Sequence, residues 1–165
     1  MVRIKTIFAV AAMSVLSAAC SGSETQPDES DPAPARGANV FPADSGPPGA
    51  DDVTTLDGVE YASLTGDAAS GKSAFAQCRT CHVVDPGMNR IGPSLAGIVG
   101  REAGTVAGFN YTDANANSGI TWTEEKLFQF LEKPQRVIPK TKMIFAGIPD
   151  AQKRADMIAY LKNPG

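Results

Sequence analysis

An all-α domain of helices joined by loops is the fold class this sequence predicts, and three observations carry it. Three stretches of the chain repeat apolar residues at spacings of three or four, the period of a helix face. Strand signals are sparse, and residues 83–122 are rich in Gly, Asn and Thr, which reads as loop with room for one short helix after Pro93. The C-terminal part, residues 60–165, has the size of one ordinary domain with a single core.

Taken in chain order, residues 1–19 read as an export signal. Arg3 and Lys5 make a basic start, residues 7–16 an apolar run, and Ser17, Ala18 and Ala19 supply the small residues of a cleavage site. The run is too short to span a bilayer comfortably. Leu16-Ser17-Ala18-Ala19-Cys20 resembles a bacterial lipoprotein box, in which the cysteine is diacylated and becomes the N-terminus; Ser17 and Leu16 depart from its usual order. Lipidation at Cys20 is therefore expected, with cleavage after Ala19 or an uncleaved membrane anchor as the alternatives.

Residues 20–59 shift to Pro, Gly, Ala, Ser, Asp and Glu, with few sizeable apolar residues. Such a composition buries too little apolar surface to offset the entropy of ordering it, which predicts a disordered tether. About 40 residues of flexible coil span roughly 35 Å on average and about 130 Å when extended. This segment carries Arg36 against eight acids, a net −7, while residues 60–165 carry twelve basic and ten acidic residues, a net +2. The acidic character of the whole chain thus belongs largely to the tether. Lys133, Arg136, Lys140 and Lys142 are compatible with docking on acidic partner surfaces. No basic excess is present to neutralise phosphates, so nucleic-acid binding is excluded.

The first helix is predicted over residues 67–77, with Ala68, Gly71 and Phe75 on the face that leads to Cys78. Gly71 lowers helix propensity, and a close helix crossing there would account for it. Cys78-Arg79-Thr80-Cys81-His82 follows directly. Two thiols three residues apart with an imidazole after them are the attachment signature of a c-type haem: each thiol can form a thioether to a vinyl group, which brings His82 beneath the iron. A zinc site would need a second ligand pair, and the chain has one His and one further Cys, at position 20. A redox dithiol would not require the His, and a structural disulfide would not either. One covalently bound haem c is thus the expected cofactor. Its consumption of two thiols leaves Cys20 as the odd cysteine.

The second helix is predicted from an N-cap at Thr123 through Glu124 and Glu125 to Lys133, with Leu127, Phe130 and Leu131 inward and Pro134 ending it. The last helix is predicted over residues 150–162, with Ala151, Ala155, Ile158 and Leu161 on one face. Between them lies a Pro-bounded loop holding Met143. With no second His, methionine is the natural sixth ligand, and a Met/His pair raises the iron's potential. Met1 and Met13 lie in the signal, Met88 is too near His82, and Met157 sits within a helix, which leaves Met143.

These residues together resemble class I cytochrome c, in its mitochondrial and bacterial c2-like branch. The resemblance runs over about residues 66–162: Cys78 to His82, Gly92-Pro93-Ser94-Leu95, Gly100-Arg101, Gly108-Phe109-Asn110-Tyr111-Thr112-Asp113-Ala114-Asn115, Gly119-Ile120-Thr121-Trp122, residues 138–147 around Met143, and residues 154–162. It implies an all-α shell around one haem, the first and last helices crossing near Gly71 and Tyr160. It further implies that the Pro93 carbonyl accepts a hydrogen bond from His82, that Arg101, Tyr111 and Trp122 serve the haem propionates, and that Asn115 and Thr141 belong to the polar network beside Met143. Two positions depart from the pattern. Phe130 stands where a Tyr commonly reaches the methionine sulfur, and Lys140 stands where a Gly is common.

The function so implied is electron transfer without substrate turnover. The resemblance implies a quinol-oxidising complex, of the quinol:cytochrome c oxidoreductase type, as donor and a terminal oxidase or reductase as acceptor. The carrier is expected to be monomeric and periplasmic, held at a membrane through a lipidated Cys20. The alternatives are a permanently bound subunit of an oxidase or dehydrogenase and a haem peroxidase or gas sensor.

Overall fold

The computed structural model describes residues 46–164; the export signal, Cys20 and most of the expected tether lie outside the described residues. Among the described residues, α1 (Ala68–Ala74), α2 (Asp113–Ala116), α3 (Glu124–Glu132), α4 (Pro134–Val137) and α5 (Ala151–Lys162) are joined by loops, except that only Lys133 separates α3 from α4. Single turns of 3-10 helix precede and extend α1, at Tyr61–Ser63 and Phe75–Gln77. Among the described residues, extended pairing is confined to one isolated bridge between Glu102 and Thr121.

Each of the three longer helices starts on a side-chain cap. The Asp67 carboxylate accepts from the Ser70 N–H, Thr123 from Lys126 and Asp150 from Lys153, each satisfying a backbone donor that the helix itself leaves unpaired. α3 ends at Glu132, and Pro134 opens the single turn of α4, where its missing N–H costs nothing. The short helix expected after Pro93 is absent. Residues 95–100 form turns instead, with Gly97 and Gly100 at positive φ, and the extra turn of helix in this half of the chain is α2.

The architecture rests on the crossing of α1 over α5. A Cβ at Gly71 would run into the Asp156 carbonyl and approach the Tyr160 Cβ to 2.8 Å, so only glycine lets the two backbones meet this closely. Phe75 and Tyr160 pack beside the crossing with ring centroids 5.3 Å apart. α3 lies against α5, and its apolar residues join Ile120, Trp122, Ile138, Met157 and Ile158 in one continuous core.

One expectation is corrected. Residues 49–59, assigned by composition to the disordered tether, lie ordered against α3, α4 and α5. Lys126 is buried and donates from Nζ to the carbonyls of Gly49 (2.8 Å) and Asp52 (2.7 Å). The Thr54 carbonyl accepts from Gln129 Nε2 (2.9 Å) and Arg136 Nη1 (3.0 Å). The Glu132 carboxylate accepts from the N–H groups of Leu56 and Asp57. Asp57 closes a 2.6 Å ion pair with Arg154, whose side chain is fully buried and stacks 4.2 Å from the centre of the Phe128 ring. Burial alone would raise the Asp57 carboxyl, yet the hydrogen bonds from Arg154 and Val59 hold it below the usual carboxylate range. Polar anchoring of backbone supplies here the order that apolar burial does not. We refer to residues 49–59 as the clamp.

Candidate haem site

The residues predicted to serve the cofactor converge on one cavity of about 280 Å³ enclosed by the core. Cys78, Cys81, His82, Pro93, Arg101, Tyr111, Asn115, Trp122, Thr141 and Met143 all line it, although they span 66 residues of sequence from first to last. Its apolar walls come from Phe75, Leu95, Ile98, Leu127, Phe130 and Leu131, and a few polar groups enter it.

The motif that follows α1 is shaped by backbone hydrogen bonds. The N–H groups of Cys81 and His82 both reach back to the Cys78 carbonyl, at 3.0 and 2.9 Å, winding the five residues into one tight turn. Burial, reinforced by the neighbouring Cys81, pushes the Cys78 thiol up to about 11. Such a thiol stays protonated at neutral pH, the reverse of the depressed thiols of dithiol oxidoreductases. Among the described residues, no group of three His, Cys, Asp or Glu side chains could hold a metal ion.

His82 is oriented by its 2.8 Å contact with the Pro93 carbonyl, which takes the Nδ1 proton and leaves Nε2 as the ring's lone-pair nitrogen. Burial lowers the imidazole pKa, against the opposing pull of that carbonyl, and so favours the neutral form that binds iron. Gly92 is the backbone that permits this placement, since a Cβ there would strike the His82 ring.

Met143 sits on the strap formed by residues 139–149, which runs between α4 and α5 and borders the same cavity. Its N–H donates to Thr141 Oγ1 at 3.3 Å, and Gln135 Nε2 holds the carbonyls of Thr141 (3.3 Å) and Met143 (3.1 Å). Lys142 Nζ donates to the Asn110 carbonyl at 2.8 Å and fastens the strap to the facing loop. Lys140, the glycine-like position, adopts φ 64° and is the one non-glycine residue at positive φ among the described residues.

Arg101 is fixed by the carbonyls of Ala96 (2.9 Å) and Ser94 (3.0 Å). Desolvation lowers its pKa, which marks a cation set in a poorly hydrated place. Trp122 packs on Phe130 at 4.8 Å between centroids. The hydroxyl oxygen of Thr112 and the amide oxygen of Asn115 are buried without a hydrogen-bond partner, and both residues line the cavity. Unpaired polar atoms are costly in an interior. An apolar slot with a lone imidazole nitrogen, a thioether-bearing strap, a desolvated cation and the unpaired hydroxyl of Thr112, which can donate, fits an amphipathic macrocycle with acidic substituents. Thr112 escaped the sequence reading as a site residue, and its place between Tyr111 and Asn115 in the loop motif was the available signal.

Comparison with known proteins agrees with this geometry. The family profile described as Cytochrome c matches residues 68–164, more than half of the chain. The chain belongs to the cytochrome c family. Cytochrome c2 of Blastochloris viridis is 56% identical over 97 residues, 58% of this chain and 76% of that protein. Cytochrome c type-1 of Ascaris suum is 51% identical over 98 residues, 59% of this chain and 88% of that protein. Among solved structures, cytochrome cH from Methylobacterium extorquens superimposes with a TM-score of 0.56 at 47% identity, covering 59% of this chain and 98% of its own. The cytochrome c fold expected from the sequence is thereby established. With it come the family's single covalently attached haem c, for which Cys78 and Cys81 are the thiols at hand, and its role as an electron carrier rather than an enzyme. The clamp lies before the matched region.

Proposed function

We propose that this cytochrome c shuttles single electrons with His82 and Met143 as the two axial ligands of its iron, between a quinol-oxidising complex and a terminal oxidase or reductase in the periplasm. The observation that carries the reading is the convergence on one cavity of a neutral imidazole held at Nδ1 and a methionine on a pinned strap. When bound there, haem c supplies a reversible one-electron couple at its iron.

The chain's own residues set the conditions of that couple. Pro93 fixes the tautomer and basicity of His82. Gln135 and Thr141 restrict the strap, so that Met143 stays in place in both redox states. Arg101, Tyr111 and Trp122 offer charge and donors to the propionates, while Leu127, Phe130 and Leu131 exclude water. If His82 and Met143 both held the iron, no position would be left open for peroxide or a diatomic gas, which favours the carrier over the catalyst or sensor. At the mouth, Ile144 is fully exposed and Ile91 is 75% exposed, and both border the cavity. They form an apolar rim on which an electron-transfer partner can seat.

Two measurements test this. The ferric protein should show the long-wavelength charge-transfer band of methionine ligation, lost in Met143→Ala, and the ferrous protein should not bind carbon monoxide; prompt carbon monoxide binding would refute the six-coordinate carrier. For the membrane arrangement, the acidic leader and Cys20 support a lipid-anchored carrier. Intact mass from membrane and soluble fractions decides it: diacylglycerol on a chain beginning at Cys20 establishes the anchor, and a soluble species cut after Ala19 removes it.

A further inference from the structure

The clamp and the strap stand on different parts of the fold, yet they are held together at three points, two of them by a single residue each. Arg154 divides its guanidinium between them: Nη2 binds Asp57 of the clamp, while Nη1 donates to the carbonyls of Ile148 (2.9 Å) and Pro149 (3.0 Å), where the strap runs into α5. Glu132 holds the clamp with its carboxylate. Its backbone carbonyl lies against Gly147, so closely that a Cβ at Gly147 would overlap it, and next to it the Ile148 N–H donates to the Leu131 carbonyl at 2.8 Å. At the third point, Arg136 binds the Thr54 carbonyl of the clamp, while the adjacent Gln135 holds the strap at Thr141 and Met143.

We infer that the clamp is a positioning device for the methionine strap: residues 49–59 set the rigidity of residues 141–149, and through it the hold of Met143 on the iron. The physical basis is shared ordering. A guanidinium locked by Asp57 cannot swing away from Ile148 and Pro149, and an α3 terminus held at Glu132 fixes the wall on which Gly147 rests. Losing the clamp frees these groups and lowers the free-energy cost of opening the strap, a local opening rather than global unfolding. The clamp precedes residue 68, where the family match begins. Asp57, Glu132 and Arg154 are thus positioning residues, none of which lines the cavity.

The inference rests on Met143 as axial ligand, and the experiment separates the two. Holo-protein of the full chain is compared with Asp57→Ala, Glu132→Ala and a deletion of residues 49–59. Hydrogen exchange is read residue by residue, together with the affinity of exogenous imidazole, which competes with methionine for ferric iron. The expected result is exchange at the amides of residues 141–148 accelerated about tenfold more than at the crossing of α1 and α5, where exchange follows global stability, and imidazole affinity raised by a similar factor. Uniformly faster exchange over the whole domain, or an unaltered strap, would overturn the coupling and leave the clamp as packing alone. If the parent protein lacks the methionine charge-transfer band, the ligand reading fails while strap exchange still decides the coupling. Should the deletion variant not fold, the two point variants decide it alone.

Discussion

On the cavity side of α3, Leu127, Phe130 and Leu131 present carbon to a space that a cofactor completes. On roughly the opposite side, Lys126, Gln129 and Glu132 hold backbone groups of the clamp at hydrogen-bond distance. At 100° per residue these two sets fall naturally on opposed faces of one helix. The first face is ordered by burial and is non-directional. The second is ordered by direction: each bond needs its donor and acceptor in place, and each buried group becomes costly if its partner leaves. A helix of nine residues thus carries two cores of different kind. Changes on the cavity side should act through the haem, and changes on the clamp side through charge.

The sharpest way to break this comparison is to withhold the haem. Replacing Cys78 and Cys81 by Ala leaves the apolar slot unfilled, and the expected outcome is loss of a cooperative thermal transition by near-ultraviolet circular dichroism; a native-like transition without haem would mean that the clamp face suffices to order α3. Next in size is Gly147→Ala, at φ 105° and against the Glu132 carbonyl. Strain and overlap together should cost about 3 kcal/mol in urea denaturation of the ferric protein.

On the clamp side, Asp57→Ala leaves the buried Arg154 without its carboxylate and should cost about 2 kcal/mol at neutral pH, less than for a fully buried pair because Asp57 is partly exposed. The sign of its pH dependence follows from the depressed Asp57 pKa. The unfolded chain binds this proton more readily than the folded one, so the contribution is complete above about pH 4 and fades as pH falls through the lower folded value. Urea midpoints of parent and variant should therefore differ at pH 7 and converge as the pH falls below the folded Asp57 value; a gap that persists at acid pH would assign the loss to packing rather than charge.

Smaller effects sharpen the cavity side. Phe130→Tyr would add a hydroxyl to the wall of the cavity that Met143 also lines, and a hydrogen bond of ordinary strength acting on one redox state shifts a one-electron potential by tens of millivolts. An unchanged redox titration would mean that position 130 does not face the sulfur. Lys140→Gly relieves a side chain held in the left-handed region, and should raise stability by about 1 kcal/mol, less the entropy glycine returns to the unfolded chain. A loss would show that the Lys140 side chain holds the strap by a contact of its own.

The same division governs what could be read from the residues. The haem motif, the three longer helices and the crossing at Gly71 were legible because each follows from a period, a spacing or a cap confined to a few neighbouring positions. The clamp was not. Its partners to Lys126, Gln129 and Arg136 are backbone carbonyls, which every residue offers and no composition reveals, and its Pro, Gly and Asp content points to disorder. The buried Lys126 and Arg154 were the traces it left, invisible until burial is known. The turn of α2, in a loop dominated by Gly and Asn, depends on packing rather than propensity and was missed for that reason. Pro93 in turn initiated no helix, because the Ser94 and Ala96 carbonyls that follow are committed to Arg101.

In mechanical terms, a pull on the chain at Gly49 would load the Lys126 bonds first, then those at Thr54, Glu132 and Arg154, before it reached α1 and the thioethers beyond. These bonds anchor the clamp to α3, α4 and α5 in succession, and each must give way before the tension passes to the next. The haem attachment is thereby shielded from tension entering through the residues that precede the domain.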